Sequence, residues 1–285
     1  MMSKKLFRIL LALSVILLVT AGTASAQDKS VRIAYVEWDC AAASTHVVQA
    51  ALEEMGYDVE ILPVAAAAMW QAVGTGNVDG MVTAWLPVTH ADYYERVKDS
   101  VVDMGPIVGG AKLGWAVPSY VTIDSIAEMN DHADKFNGRI IGIDPGAGLM
   151  RLSEDAVREY GLTKFELIEG SDATMTGALS NAVDRDEWVV VTAWSPHWMF
   201  GVWDLKYLDD PKGILGGEES IHTIVRQGLE EDKPEVYNFL KNFAYESPNQ
   251  LQMIMAWNQE SGADRLENAK RFLRENPEQF ESWKK

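Results

Sequence analysis

Apolar residues along this chain follow two rhythms. Short β-branched runs alternate with stretches whose hydrophobes recur three and four apart, a pattern of strands and helices in α/β layers. Strands are predicted over 31–36, 59–64 and 80–84. Between them lie helices over 44–55, closed by Gly56, and 65–73, closed by Gly74 and Gly76. About 109 residues later the order recurs: a strand over 139–143, the turn Asp144-Pro145-Gly146-Ala147-Gly148, and a helix over 149–160 ending at Gly161. A strand over 165–168, a helix over 174–183 and a strand over 189–193 complete it. The closing pieces nearly coincide, V-T-A-W-L-P at 82–87 and V-T-A-W-S-P at 191–196. Two such endings on equivalent β-α-β-α-β series predict two lobes of similar build.

Parallel strands joined by helices bind ligands outside their carboxyl ends. The residues that follow the first and third strands of each series should therefore face a shared cleft. Those are Trp38 and Trp85 in the first lobe, and the 146–148 turn and Trp194 in the second. A β-like run over 111–121 suits a crossing between lobes, and 222–226 a return. Helices over 235–243, 248–257 and 263–275 are expected to pack back on the first lobe. The predicted organisation is an export segment at 1–26, the first lobe over 27–115 and the second over 116–215. The return crossing and C-terminal helices take up 216–285.

The export segment rests on a basic head (Lys4, Lys5, Arg8), an apolar run over 9–19 and the small-x-small triplet Ala24-Ser25-Ala26. The run is shorter than the roughly 20 residues that span a bilayer. Cleavage after Ala26 is expected, with no lipid anchor because no Cys stands nearby, and the product is expected in the periplasm. The segment holds no acid, so its loss makes the chain three units more negative than its formal −17. With 25 Lys plus Arg against 42 Asp plus Glu, nucleic acid and anionic membrane surfaces are poor partners. A single cysteine, Cys40, excludes an intramolecular disulfide and a Cys-based zinc cluster.

Signatures of catalysis are absent: there is no G-x-S-x-G elbow, no H-E-x-x-H and no phosphate-binding P-loop. Arg151 stands where a dinucleotide fingerprint needs its third Gly. The five histidines show no metal-ligand spacing, so neither a metal nor a cofactor is expected. Asp144 is the nearest acid–base candidate, with a turn-capping role before Pro145 as its alternative.

Ten tryptophans carry more information. Trp38, Trp85 and Trp194 at strand ends can form an aromatic box, which holds a cation through ring faces at about 0.5–2 kcal/mol per contact. The turn at Gly146, Ala147 and Gly148 opens a helix, whose free N–H groups favour a carboxylate. His90, five residues past Trp85, can add a hydrogen bond to that anion. Each assignment has a packing alternative. Trp70, Trp115, Trp188, Trp203, Trp257 and Trp283 are expected to pack, and His90 and His197 taken singly read as structural. Asp39 reads either as a counter-charge or as a helix start.

These residues carry a resemblance. Tyr35-Val36-Glu37-Trp38, Ala84-Trp85-Leu86-Pro87-Val88-Thr89-His90, Gly142-Ile143-Asp144-Pro145-Gly146-Ala147-Gly148 and Thr192-Ala193-Trp194-Ser195-Pro196-His197-Trp198-Met199-Phe200 are long, specific matches. Asp204-Leu205-Lys206-Tyr207-Leu208 and Ile221-His222-Thr223 add to them. The chain resembles the glycine betaine/proline betaine substrate-binding proteins of ABC-type osmoprotectant importers, the OpuAC-like group, over nearly the whole of the expected mature chain. The resemblance implies a two-lobed periplasmic-binding-protein fold of type II character that closes on its ligand. It also implies a trimethylammonium prism at Trp38, Trp85 and Trp194, with the carboxylate on amides at about 146–148 and on His90. The expected function is capture of glycine betaine, or a related methylated zwitterion such as proline betaine, and delivery to a membrane permease for osmoprotection. The expected state is a monomer without catalytic activity. A choline or carnitine receptor is the alternative within the class, and an enzyme acting on quaternary amines the alternative outside it.

Overall fold

In the computed structural model, which describes residues 29–285, the first apolar run forms strand β1 (Ser30–Tyr35), with Val31 and Ile33 fully buried. The predicted export segment lies outside the described residues. Helix α1 (Asp39–Glu54), β2 (Asp58–Pro63), α2 (Ala66–Gly74) and β3 (Gly80–Leu86) follow. β1 pairs in parallel with both β2 and β3, a geometry that needs the crossover helices between them. After α3 (Ala91–Val97) comes a long strand, β4 (Val101–Pro118), and a 3₁₀ segment (Ile126–Phe136).

The second series then repeats the first. It comprises β5 (Arg139–Ile141), α4 (Gly148–Glu159), β6 (Glu166–Ile168), α5 (Asp172–Val183) and β7 (Val191–Ser195). β5 is again parallel to both companions. The chain continues through α6 (Met199–Val202), β8 (Leu205–Tyr207), β9 (Glu218–Arg226) and α7 (Leu229–Asp232). It ends in α8 (Pro234–Asn242), α9 (Pro248–Asn258), α10 (Arg265–Glu275) and α11 (Pro277–Trp283).

The described strands form one sheet in the order β2-β1-β3-β9-β4-β7-β5-β6, with β8 beside β4. Two parallel triplets thus flank an antiparallel pair, β9 and β4, and make two lobes joined by strands. β4 pairs with β9 over 101–112 and with β7 over 112–116, so it passes from one lobe to the other within a single strand. Its first half escaped the hydrophobic pattern for a physical reason. Gly105, Pro106, Gly109 and Gly110 interrupt the alternation there, and the register shifts three times against β9, as bulges do. Both V-T-A-W-x-P endings carry a cis peptide before proline.

The C-terminal helices α9 and α10 pack along α1. Trp283 sits among Phe239, Phe243, Phe272 and Phe280, with ring centroids 4.9–6.5 Å away. Burying each large apolar side chain contributes roughly 1.5–3 kcal/mol, which secures the C-terminal helices to one another. Buried Asp79 adds a polar tie: it accepts from the Arg32 N–H at 3.0 Å, Arg226 Nε at 3.0 Å and Lys233 Nζ at 2.9 Å. Other indoles pack as well. Trp115 is fully buried and donates to Ser153 Oγ at 2.9 Å, while Trp257 lies beneath the Arg271 guanidinium at 3.9 Å. Among the described residues no helix is long and apolar enough to cross a membrane.

Candidate ligand site

The strand ends of the two lobes meet at a cavity. Trp38, Trp85 and Trp194 line it together with Cys40 of α1, Thr89 of the turn after β3, Leu113 of β4, and Ile143, Ala147, Gly148 and Leu149 from the turn into α4 and its start. Each indole is placed by a different device. Trp38 caps α1 and donates its Nε1–H to Asp144 Oδ1 at 2.7 Å, a bond that reaches from the first lobe to the second. Trp85 lies in β3 opposite Ile221 of β9, and Trp194 lies in β7 opposite Leu113 of β4. All three are buried.

No lining residue is formally charged. An ordinary ammonium, with three N–H donors, would find a single side-chain hydroxyl here, that of Thr89. A quaternary ammonium has no N–H to satisfy and is attracted by ring faces instead. Cys40 stays a neutral thiol, since burial pushes its pKa up.

The start of α4 on the cavity wall suits an anion. Helix α4 begins at Gly148, and its N-cap, Ala147, supplies no side-chain hydrogen bond. The first N–H groups of a helix have no intrahelical acceptor. The Met150 and Arg151 N–H groups turn back to the Ala147 carbonyl. Gly148 and Leu149 remain, both on the cavity wall. Glycine is required at 148 by closeness: an added Cβ would lie 2.2 Å from the Thr89 carbonyl oxygen of the other lobe. Gly146 serves the turn differently. Its φ of +91° favours glycine, and its carbonyl accepts from Tyr93 Oη at 2.7 Å. It is not among the lining residues.

His90 is fully buried beside the cavity rather than on its wall, stacked on Trp38 with centroids 5.8 Å apart. Its tautomer is dictated locally. The Trp85 N–H donates to Nδ1 at 3.0 Å, so Nδ1 is an acceptor and Nε2 carries the proton. Burial pulls the imidazole pKa down to about 3, with Arg151 acting in the same direction, and the ring is therefore neutral. Nε2 has no hydrogen-bond partner among the described residues. A buried donor left unpaired costs about 1–3 kcal/mol, a debt that a ligand oxygen would cancel.

The loop holding Trp85 and His90 is anchored from β9. Buried Glu219 accepts from the Val88 N–H at 2.5 Å, the Thr89 N–H at 2.8 Å and the Thr89 hydroxyl.

Residues 29–275 match the family described as the substrate binding domain of the ABC-type glycine betaine transport system, OpuAC. The chain belongs to the OpuAC family. A curated relative, the glycine betaine/carnitine transport binding protein GbuC of Listeria monocytogenes, is 41% identical over 155 residues. That match covers 54% of this chain and 51% of the relative, so the chain aligns with about half that protein's length. Among solved structures, the glycine betaine/L-proline-binding protein ProX of Borrelia burgdorferi superposes with a TM-score of 0.87 at 39% identity, covering 90% of this chain and 97% of that one. Lactococcal OpuAC, closed with glycine betaine, gives 0.86 at 40% identity and covers 90% and 100%. An ABC-transporter choline-binding protein with choline gives 0.83 at 26%, covering 90% and 91%.

The OpuAC assignment agrees with the two-lobed fold. Sequence reasoning did not single out Thr89, Leu113, Ile143 or Leu149 as lining residues, and it used Cys40 only to exclude a disulfide and a Cys-based zinc cluster. Thr89 and Leu149 adjoin positions it did choose, so nearness was the available signal. Leu113 reaches the wall only through its pairing with Trp194, which no local pattern reveals. Asp144 and Asp39 turn out to face indole N–H groups: Asp144 takes that of Trp38, and Asp39 that of Trp198.

Proposed function

We propose that this OpuAC-family chain is an extracytoplasmic receptor that captures glycine betaine, or a methylated zwitterion of similar size, and hands it to the permease of an ABC importer. Trp38, Trp85 and Trp194 receive the trimethylammonium group. The N–H groups of Gly148 and Leu149, with His90 Nε2–H, receive the carboxylate. The carrying observation is one cavity lined by three uncharged indoles and by the start of α4, with the unpartnered His90 Nε2 buried beside Trp38. The glycine betaine named for the Listeria and lactococcal relatives supports this ligand class. Binding the ligand unchanged is in keeping with the substrate-binding role described for the family.

The export segment 1–26 would be removed after Ala26 and the product would act in the periplasm as a monomer. The first lobe, over 27–115 with the helices of 216–285, would close on the second, over 116–215. A ligand that bridges both lobes favours the closed state through its extra contacts there.

Choline is the second reading, favoured by the choline-binding structural relative. It has no carboxylate, so the three N–H donors would stay unpaired. Calorimetric titration of the exported form with both ligands separates the readings. Glycine betaine should bind about tenfold or more tightly than choline, from one charge-assisted hydrogen bond or more. Equal or tighter choline binding would reverse the assignment.

A further inference from the structure

Two indoles exchange hydrogen bonds across the cleft. Trp38 of the first lobe donates to Asp144 of the second at 2.7 Å, and Trp198 of the second donates to Asp39 of the first. Between them, the Asp39 N–H, the first of α1, donates to Asp172 Oδ2 at 2.9 Å. Asp172 is held in turn by His197. The Met199 N–H donates to His197 Nδ1 at 3.1 Å, which leaves Nε2–H to donate to Asp172 Oδ1 at 3.1 Å. Trp198 is outside the cavity wall, but Trp38 is one of its three rings.

We propose that Asp144 is a positioning residue that fixes the Trp38 indole in the ligand box only when the lobes are closed, and thereby sets the rate of ligand release. This rests on the reading of the cavity as an onium site. The Nε1–H is the only polar atom of an indole, so its acceptor selects the plane in which the ring stands. That acceptor belongs to the same turn that leads into Gly148 and Leu149. One segment of the second lobe therefore both presents the anion donors and holds a wall of the cation box. When the lobes part, Trp38 loses its acceptor and the box loses a fixed ring in the same movement. Burial raises the Asp144 pKa, in keeping with a group taken from water to serve a neighbour.

Stopped-flow tryptophan fluorescence of the exported form with glycine betaine tests this. Asp144→Ala should raise the dissociation rate constant about tenfold, the worth of one hydrogen bond to a charged acceptor, with association changed about twofold or less. Asp144→Asn keeps an amide oxygen for the indole N–H and should return release to within about threefold of the wild type. Trp198→Phe removes the reciprocal donor while keeping a ring outside the box, and should raise release by a smaller factor, about threefold. A merely structural role would lower the melting temperature of the ligand-free protein and leave the dissociation rate alone. A dissociation rate unchanged in Asp144→Ala overturns the proposal, as does an Asn variant as impaired as the Ala variant. A wild type with no response to glycine betaine would overturn the reading beneath it, and the proposal too.

Discussion

Helices α1 and α4 start at equivalent points of the two lobes, each just past the first strand of its series, and neither is capped by its own N-cap side chain. Their fates differ. The first N–H of α1 is taken by the Asp172 carboxylate of the opposite lobe, at 2.9 Å. The first N–H groups of α4, at Gly148 and Leu149, open on the cavity. A repeated topology thus supplies two similar anion-accepting ends, since a helix N-terminus carries free donors and a positive dipole end. The protein fills one with its own carboxylate and leaves the other on the cavity wall, where the proposed ligand carboxylate would sit. The residue before each start follows the same division. In the first lobe it is an indole, Trp38, which is proposed to face the cation; in the second it is a small residue, Ala147, whose side chain makes no capping hydrogen bond.

The largest effect is expected where the cation side is broken. Trp85→Ala should weaken glycine betaine binding by about 100-fold or more, from ~2 kcal/mol of desolvated cation–π attraction plus lost ring burial. Circular dichroism should remain that of a folded chain, and unchanged affinity by calorimetry would remove the box. Next comes the open helix end. Gly148→Ala places a methyl 2.2 Å from the Thr89 carbonyl oxygen, where overpacking costs about 1–3 kcal/mol. Affinity should fall roughly 10- to 100-fold, and small-angle scattering with ligand should show a wider molecule. A closed, tight-binding variant would contradict the close approach of the lobes.

The smallest effect concerns pH. The folded His90 pKa, about 3, lies below its ordinary 6.5, so the unfolded chain takes up this proton first as pH falls. The stability tied to neutral His90 is therefore complete above pH 6.5 and is lost on acidification towards pH 3. The loss at pH 5 is about 2 kcal/mol relative to pH 8. Denaturant melts of the wild type and of His90→Phe should show the variant losing less over that range. Identical slopes would mean that the imidazole titrates normally in the fold.

Much of this was legible in the chain itself, for identifiable reasons. Trp38, Trp85 and Trp194 could be found because each stands at a strand end, and two of them sit in copies of one motif. The doubled series predicted two parallel triplets, which the sheet order bears out. Features made by distant pairing stayed hidden. Helix α1 was expected from residue 44, yet it begins at Asp39, where Asp172 from the other lobe supplies the acceptor that no local residue provides. Glu219 holds the Trp85–His90 loop from 131 and 130 residues away in sequence, and nothing near it marks that role. His90 was chosen for its place, but its poised Nε2–H follows from burial and from the Trp85 amide.

The claim that one cavity reads both ends of a zwitterion is tested most directly by a crystal structure of the exported form with glycine betaine. The ammonium nitrogen is expected among the faces of Trp38, Trp85 and Trp194. A carboxylate oxygen should lie within hydrogen-bond reach, about 2.7–3.2 Å, of the Gly148 and Leu149 nitrogens and of His90 Nε2. A carboxylate pointing away from the start of α4, or a ligand bound outside the three indoles, would contradict it.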